Sequence, residues 1–141
     1  ASIPLLEKAK KLNPNSALVY FNLGLALDKN KEKDLAIKNF HKVIELEPNN
    51  IMAFFNLGTI YKEILKINKA EEYLKKCLDL KPNFKLAFNN LFDLYDRSNQ
   101  FEKYTELLKK AKNELEDEDL LIFYSGVDQY KKKITKKQLN F

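Results

Sequence analysis

Three asparagines recur at a fixed spacing, and their amides are the side chains whose chemistry is most informative. Asn22, Asn56 and Asn90 follow one another at a constant spacing of 34. An asparagine amide carries both a donor and an acceptor, so it can hydrogen-bond a peptide unit in bidentate fashion. If repeated units bring the three amides to one face, they predict a ladder that binds an extended peptide backbone largely independently of its sequence.

Residues capable of catalytic or metal chemistry are few. His41 is the single histidine of the 141-residue chain, and Cys77 is the single cysteine. We interpret His41 as a solvent-facing residue, because it has no nucleophile–base constellation nearby. We interpret Cys77 as a packed core residue, because it falls at a position where Val43 and Ala111 recur at the same spacing. The acidic run at 114–119 lacks the spacing and the glycine of a calcium loop. We therefore predict no catalytic residue, no metal ligand, no cofactor and no enzymatic activity within these residues.

The elements that must position the asparagines recur with the same period. Pro14, Pro48 and Pro82 share the constant spacing of the asparagines, and Gly24 and Gly58 repeat that step. Apolar residues at i, i+3, i+4 and i+7 predict a first helix in each period. A second amphipathic stretch follows and ends at an X-Pro-Asn segment, because proline cannot continue a helix. Each period therefore reads as two helices joined by a short turn.

This pattern resembles the tetratricopeptide repeat family. The matching residues are Tyr20, Leu23, Gly24, Ala36, Phe40 and Pro48 in the first full repeat, and Phe54, Leu57, Gly58, Tyr61, Ala70 and Pro82 in the second. The resemblance implies an all-α fold, a right-handed superhelical solenoid of antiparallel helix pairs whose first helices line a concave groove. The predicted array covers residues 1–130: a half unit at 1–16, full units at 17–50, 51–84 and 85–118, and a partial unit at 119–130. Residues 131–141 are either a basic tail or the start of a further helix.

The third full unit departs from the family pattern. Phe92 replaces the glycine, Tyr104 replaces the first alanine, and Glu116 replaces the proline. If the two aromatic residues face each other, we expect them to spread this helix pair. Without the proline, we expect the second helix of the unit to continue through residues 114–118.

The predicted groove contains apolar residues beside the asparagines. These lining residues are Leu18, Phe21, Leu25, Met52, Phe55 and Leu86, with Asn89 and Asp93 added in the third unit. Together with the core stripe they make the first helices apolar on nearly all sides, and an exposed apolar patch of this kind usually marks an interaction site. A partner with an apolar segment would fit. The alternatives are that the asparagines bond neighbouring helices, and that a flanking segment or a second copy covers the patch.

The leading hypothesis is a non-catalytic protein-interaction scaffold that binds a peptide or helical segment and forms part of a longer protein. One alternative is the substrate-recruiting repeat arm of an enzyme such as an O-GlcNAc-type glycosyltransferase, whose asparagine ladder this one resembles. Another is a self-associating assembly module. The carboxylate clamp of co-chaperones in this family is not expected, because Phe21 and Leu25 stand where a lysine and an asparagine are needed.

The net charge of +5 does not belong to the repeats. Five of the 25 basic residues lie in 131–141 without an acid, so residues 1–130 carry 20 basic and 20 acidic residues. A neutral repeat body without a basic–aromatic stripe does not predict nucleic-acid binding. No apolar run approaches the roughly 18 residues of a membrane span, so we expect no membrane insertion. We expect a cytoplasmic location.

Overall fold

The fold is all-α, as the periodicity predicted. A computed structural model describes residues 2–139, which form eight helices and no strand. The helices are α1 (Ile3–Leu12), α2 (Ala17–Lys29), α3 (Lys33–Leu46), α4 (Ile51–Glu63), α5 (Ile67–Leu80), α6 (Lys85–Arg97), α7 (Phe101–Glu114) and α8 (Glu118–Leu139). They divide into two compact units, Ala1–Leu80 with α1–α5 and Lys81–Phe141 with α6–α8.

In the first unit the proline-containing segments separate one helix pair from the next. Ser16 and Asn50 follow these segments and cap α2 and α4: Ser16 Oγ accepts from the Val19 amide at 3.4 Å, and Asn50 Oδ1 accepts from the Ala53 amide at 3.0 Å. These caps satisfy amides that have no partner within the first turn. The sequence therefore fixes where the first helix of each pair begins.

In the α2–α3 and α4–α5 pairs, a side chain of the second helix packs directly against a glycine of the first. A Cβ atom on Gly24 would lie 2.9 Å from the Phe40 ring, and one on Gly58 would lie 2.7 Å from Leu74 Cγ. Both distances are below van der Waals contact, so a larger residue would force α2 from α3 or α4 from α5. Phe40 and Leu74 are fully buried, which shows that these crossings are packed core.

A shared lysine joins three helix ends in the first unit. The Lys33 ammonium, at the start of α3, donates to Asp28 near the end of α2 and to Glu63 at the end of α4. Both carboxylates raise the pKa of Lys33, with the hydrogen bond to Asp28 the largest cause. Because this bridge is partly exposed, it adds little to stability.

In the second unit aromatic residues occupy the crossing where the other pairs have glycine. The rings of Phe92 and Tyr104 are buried with centroids 4.9 Å apart, so the two bulky residues do face each other. Tyr124 of α8 stacks on Phe92 at 3.9 Å. At this crossing the rings of Phe92, Tyr104 and Tyr124 therefore take the place of the glycine contact that the helix pairs of the first unit make.

The prediction that α7 continues through residue 118 is wrong. The helix ends at Glu114, and Leu115 is extended and buried. Asp117 then caps α8, accepting from the Leu120 amide at 3.0 Å, and also accepts from the Lys85 ammonium at 2.7 Å. Without a proline, the burial of Leu115 and the cap at Asp117 break the helix. The same two contacts lower the pKa of Asp117, with Lys85 the largest cause.

The basic segment continues α8. The sequence allowed a solvated tail or the start of a new helix at 131–141, but Lys131–Leu139 extend the same helix without a turn. Lys131 pairs with Asp96, and its ammonium lies 4.8 Å from the centre of the Phe101 ring, which holds this part of α8. Asn140 and Phe141 lie outside the described residues.

We predict that replacing two glycines of the repeat pattern, Gly58 and Gly126, by alanine changes the free energy of unfolding in opposite directions. Gly58→Ala should lower the free energy of unfolding by about 1–2 kcal/mol, because overpacking against Leu74 outweighs the gain in helix propensity. Gly126→Ala should raise it by up to about 1 kcal/mol, since the added Cβ would meet no described atom within 4 Å apart from the adjacent residues and the backbone of its own helix. Urea unfolding followed by circular dichroism measures both changes. A Gly58→Ala protein as stable as the wild type would contradict the close crossing.

Candidate functional site

The side of α2 opposite its buried stripe carries exposed apolar residues. Leu23, Gly24 and Leu27 are buried against the rest of the unit. Leu18 is 67% exposed, and Leu25 and Asn22 are also exposed. We call this side of α2, with the corresponding side of α4, the first-helix face. It combines apolar side chains with an amide at its centre.

On α4 the first-helix face is partly covered. Met52 is 37% exposed, while Phe55 and Asn56 are half-buried. Phe21 of α2 is also half-buried, because its ring packs edge-on against Phe40 with centroids 5.6 Å apart. Phe21 therefore packs beneath the face, and Leu18, Leu25 and Met52 present apolar surface to solvent.

The three asparagines differ in their surroundings. Asn22 is exposed, and its side chain makes no hydrogen bond among the described residues. Asn56 Nδ2 donates to the Met52 carbonyl one turn earlier at 2.7 Å, which leaves its second N–H and its oxygen for a ligand. Asn90 is half-buried on α6 of the second unit.

In the second unit the polar residues of the predicted groove have partners within the protein. Asn89 Oδ1 accepts from the Tyr124 hydroxyl at 2.9 Å, and Asp93 Oδ1 accepts from Arg97 Nε at 3.0 Å. Burial, together with the charge of Asp93, raises the pKa of Tyr124. Leu86 remains exposed. The sequence did not predict the Tyr124 contact, because it joins α6 to α8 across an atypical aromatic cluster.

A cleft in the first unit gathers several of the predicted residues. It has a volume of about 240 Å³ and is lined by Ala17, Leu18, Phe21, Glu47, Asn50 and Met52. The periodicity of the first helices does not include Glu47 and Asn50, which lie between α3 and α4. The available signal was the position of Asn50 directly before α4, where an asparagine caps a helix.

Cys77 lies in the core, as predicted. It is fully buried, its thiol lies 3.6 Å from the Ile51 carbonyl, and burial raises its pKa to about 12. His41 is exposed, and its ring packs edge-on against Tyr73 with centroids 5.8 Å apart. Partial burial and the charge of Lys69 lower the pKa of His41.

Across residues 2–139, no group of three or more histidine, cysteine or acidic side chains has the geometry to hold a metal ion. No described helix has both the length and the apolar character to span a membrane.

The first unit consists of antiparallel helix pairs that recur with the period of the sequence, and this arrangement defines a helical repeat protein. Two family models, both described as tetratricopeptide repeat, match residues 17–50 and 53–84. Residues 17–50 and 53–84 are tetratricopeptide repeats. These matches fall on the first two full units predicted from the sequence, and they support a protein-interaction scaffold as the general class of the chain.

Solved structures of MamA share the fold. The crystal structure of MamA is 28% identical over 79% of this chain and 66% of its own length, with a TM-score of 0.75. A MamA MSR-1 structure is 27% identical over 79% of this chain and 64% of its own, with a TM-score of 0.68. A MamA RS-1 double mutant, at 24% identity, covers 93% of this chain and 74% of its own with a TM-score of 0.79, which shows the fold alone. The chain spans just under two thirds of the first of these structures. No curated protein sequence matches the chain significantly.

We predict that Cys77 is unreactive in the folded protein. Its buried thiol with a raised pKa should not react with a disulfide reagent such as DTNB at pH 8, because thiolate is the reactive form. In 8 M urea it should react completely, with one equivalent per chain. Rapid labelling without urea would show that the α4–α5 crossing opens readily.

Proposed function

We propose that the chain is a non-catalytic scaffold that binds a peptide in extended form along the first-helix face of its first unit. The observation that carries this proposal is the exposed amide of Asn22 between the exposed side chains of Leu18 and Leu25. Apolar side chains provide the driving force for association, and the amide satisfies a peptide group that binding removes from water.

The energetics favour a ligand that offers both apolar side chains and a backbone. Burying one leucine or methionine side chain fully contributes about 1.5–3 kcal/mol, and partial burial contributes less. Leu18, Leu25 and Met52 could together support micromolar binding after the loss of translational and rotational freedom. Because the asparagine amides bond main-chain groups, the ladder alone would select an extended backbone and not a particular side chain.

Self-association is a second candidate, favoured by a different observation. Leu5 and Leu12 on α1 are 65% and 79% exposed, and neither lies on the first-helix face. A second copy covering α1 would bury them. Sedimentation velocity over a range of protein concentrations tests this candidate: a monomer at 100 μM rules it out, and a Leu5→Ser/Leu12→Ser variant should remain monomeric. The substrate-recruiting arm of an enzyme would use the first-helix face in the same way as the scaffold.

We predict that the Asn22→Ala/Asn56→Ala variant binds selected peptides about 5- to 150-fold more weakly than the wild type, since two net hydrogen bonds are worth about 1–3 kcal/mol. Peptides are first selected on the wild-type protein from a displayed library of random 12-residue sequences, and their affinities are measured by fluorescence anisotropy. Helicity by circular dichroism should be unchanged, because neither side chain is part of the buried core.

The matched control removes two other asparagines of the same unit. Asn49 and Asn68 are exposed, and their side chains make no hydrogen bond within the described residues. An Asn49→Ala/Asn68→Ala variant should therefore bind the selected peptides like the wild type. Equal affinities of all three proteins would overturn the role of the ladder, and failure of the wild type to select any peptide would overturn the binding function.

A further inference from the structure

We infer that the cleft at the start of α2 and α4 selects peptides in which an apolar side chain stands next to a lysine or arginine. This inference rests on the proposed peptide-binding function and adds a sequence preference to it. The cleft lies in the first unit, and the charge that would determine the preference is the carboxylate of Glu47.

The cleft is sized for one side chain. Its volume of about 240 Å³ is smaller than the roughly 300–1,000 Å³ typical of small-molecule pockets. Leu18 and Met52 supply exposed aliphatic surface, and the half-buried Phe21 braces it through its contact with Phe40. An unbranched or γ-branched side chain such as methionine or leucine could fill such a space, with the peptide backbone passing towards Asn22.

The one charged side chain that lines the cleft is acidic. Of its six lining residues only Glu47 is charged, and that carboxylate has no ion pair within residues 2–139. Glu47 is the C-cap residue that directly follows α3, and no basic residue lies in the last turn of that helix. The partial negative charge of a helix C-terminus therefore adds to the carboxylate. A cation from the ligand would complement both charges.

The carboxylate is also held in position. Glu47 Oε2 accepts from Asn50 Nδ2 at 2.8 Å, and Asn50 in turn caps α4 through its own oxygen. The cap thus directs the carboxylate beside the apolar surface, leaving its remaining lone pairs for a donor. The charge is not a requirement of the repeat, because the equivalent position of the next repeat carries Lys81. Acidic peptides would be repelled by the same arrangement, so the expected effect is selectivity between peptides more than affinity.

The experiment reverses the charge at position 47 of the protein and the charge of the basic residue in the peptide. The wild-type protein and the Glu47→Lys variant are each used to select from the same displayed library of random 12-residue peptides. We expect wild-type peptides to carry leucine, methionine, isoleucine or phenylalanine next to lysine or arginine. We expect Glu47→Lys to retain the apolar residue and to replace its basic neighbour with aspartate or glutamate. A selected wild-type peptide with its basic residue changed to glutamate should bind the wild type up to about fivefold more weakly and Glu47→Lys more tightly.

The control variant Glu72→Lys makes the same change in net charge at an exposed position of α5 that does not line the cleft. It should select the same peptides as the wild type, and all three proteins should have equal helicity and urea midpoints within about 0.5 M. Peptides with the apolar residue but no basic preference, or with the same preference in Glu47→Lys, would overturn this inference and leave the proposed function standing. Failure of the wild type to enrich any peptide would overturn the proposed function itself.

Discussion

The close approach of paired helices at a residue without a side chain is the contact on which the first unit depends. Gly24 and Gly58 allow Phe40 and Leu74 to pack directly against the helix backbone. Because successive helical residues are about 100° apart, fixing one side of α2 against α3 also fixes which residues point away from it. Leu18, Asn22 and Leu25 are exposed for this reason. The contact that stabilises the pair therefore also produces the candidate binding face.

The second unit shows what happens when that contact is replaced. With Phe92 at the glycine position, three aromatic rings fill the crossing, and the third ring comes from α8. Phe92 and Tyr104 are buried at this crossing. Tyr124, whose ring stacks on Phe92, hydrogen-bonds Asn89, a residue that the periodicity predicted to face a ligand. The two units share a helix-pair plan and differ in how much of the first-helix pattern remains available for binding.

The sequence was sufficient for the helix pairs, because prolines, glycines and caps act locally and recur with a constant period. It was insufficient where residues distant in the chain decide the outcome. The end of α7 depends on the burial of Leu115 and on Asp117, which bonds Lys85 at the start of α6. The uninterrupted course of α8 through the basic segment occurs together with a contact between Lys131 and Phe101, which are 30 residues apart in the chain. For the candidate site, the first-helix residues were identified from the periodicity, but Glu47 was missed because a cap on the next helix positions it.

The residues of the candidate site are poor choices for stability alone, which is an argument for binding. Asparagine is a weak helix former, and Asn22 has no partner within the described residues to offset that. An acidic residue at a helix C-terminus opposes the helix dipole, yet Glu47 stands at the end of α3, and the equivalent position of the next repeat carries a lysine. Leucine at position 18 exposes apolar surface without contributing to the buried stripe. A ligand of the kind we propose, with a peptide backbone for Asn22, an apolar side chain for Leu18 and a cation for Glu47, would remove each of these local disadvantages.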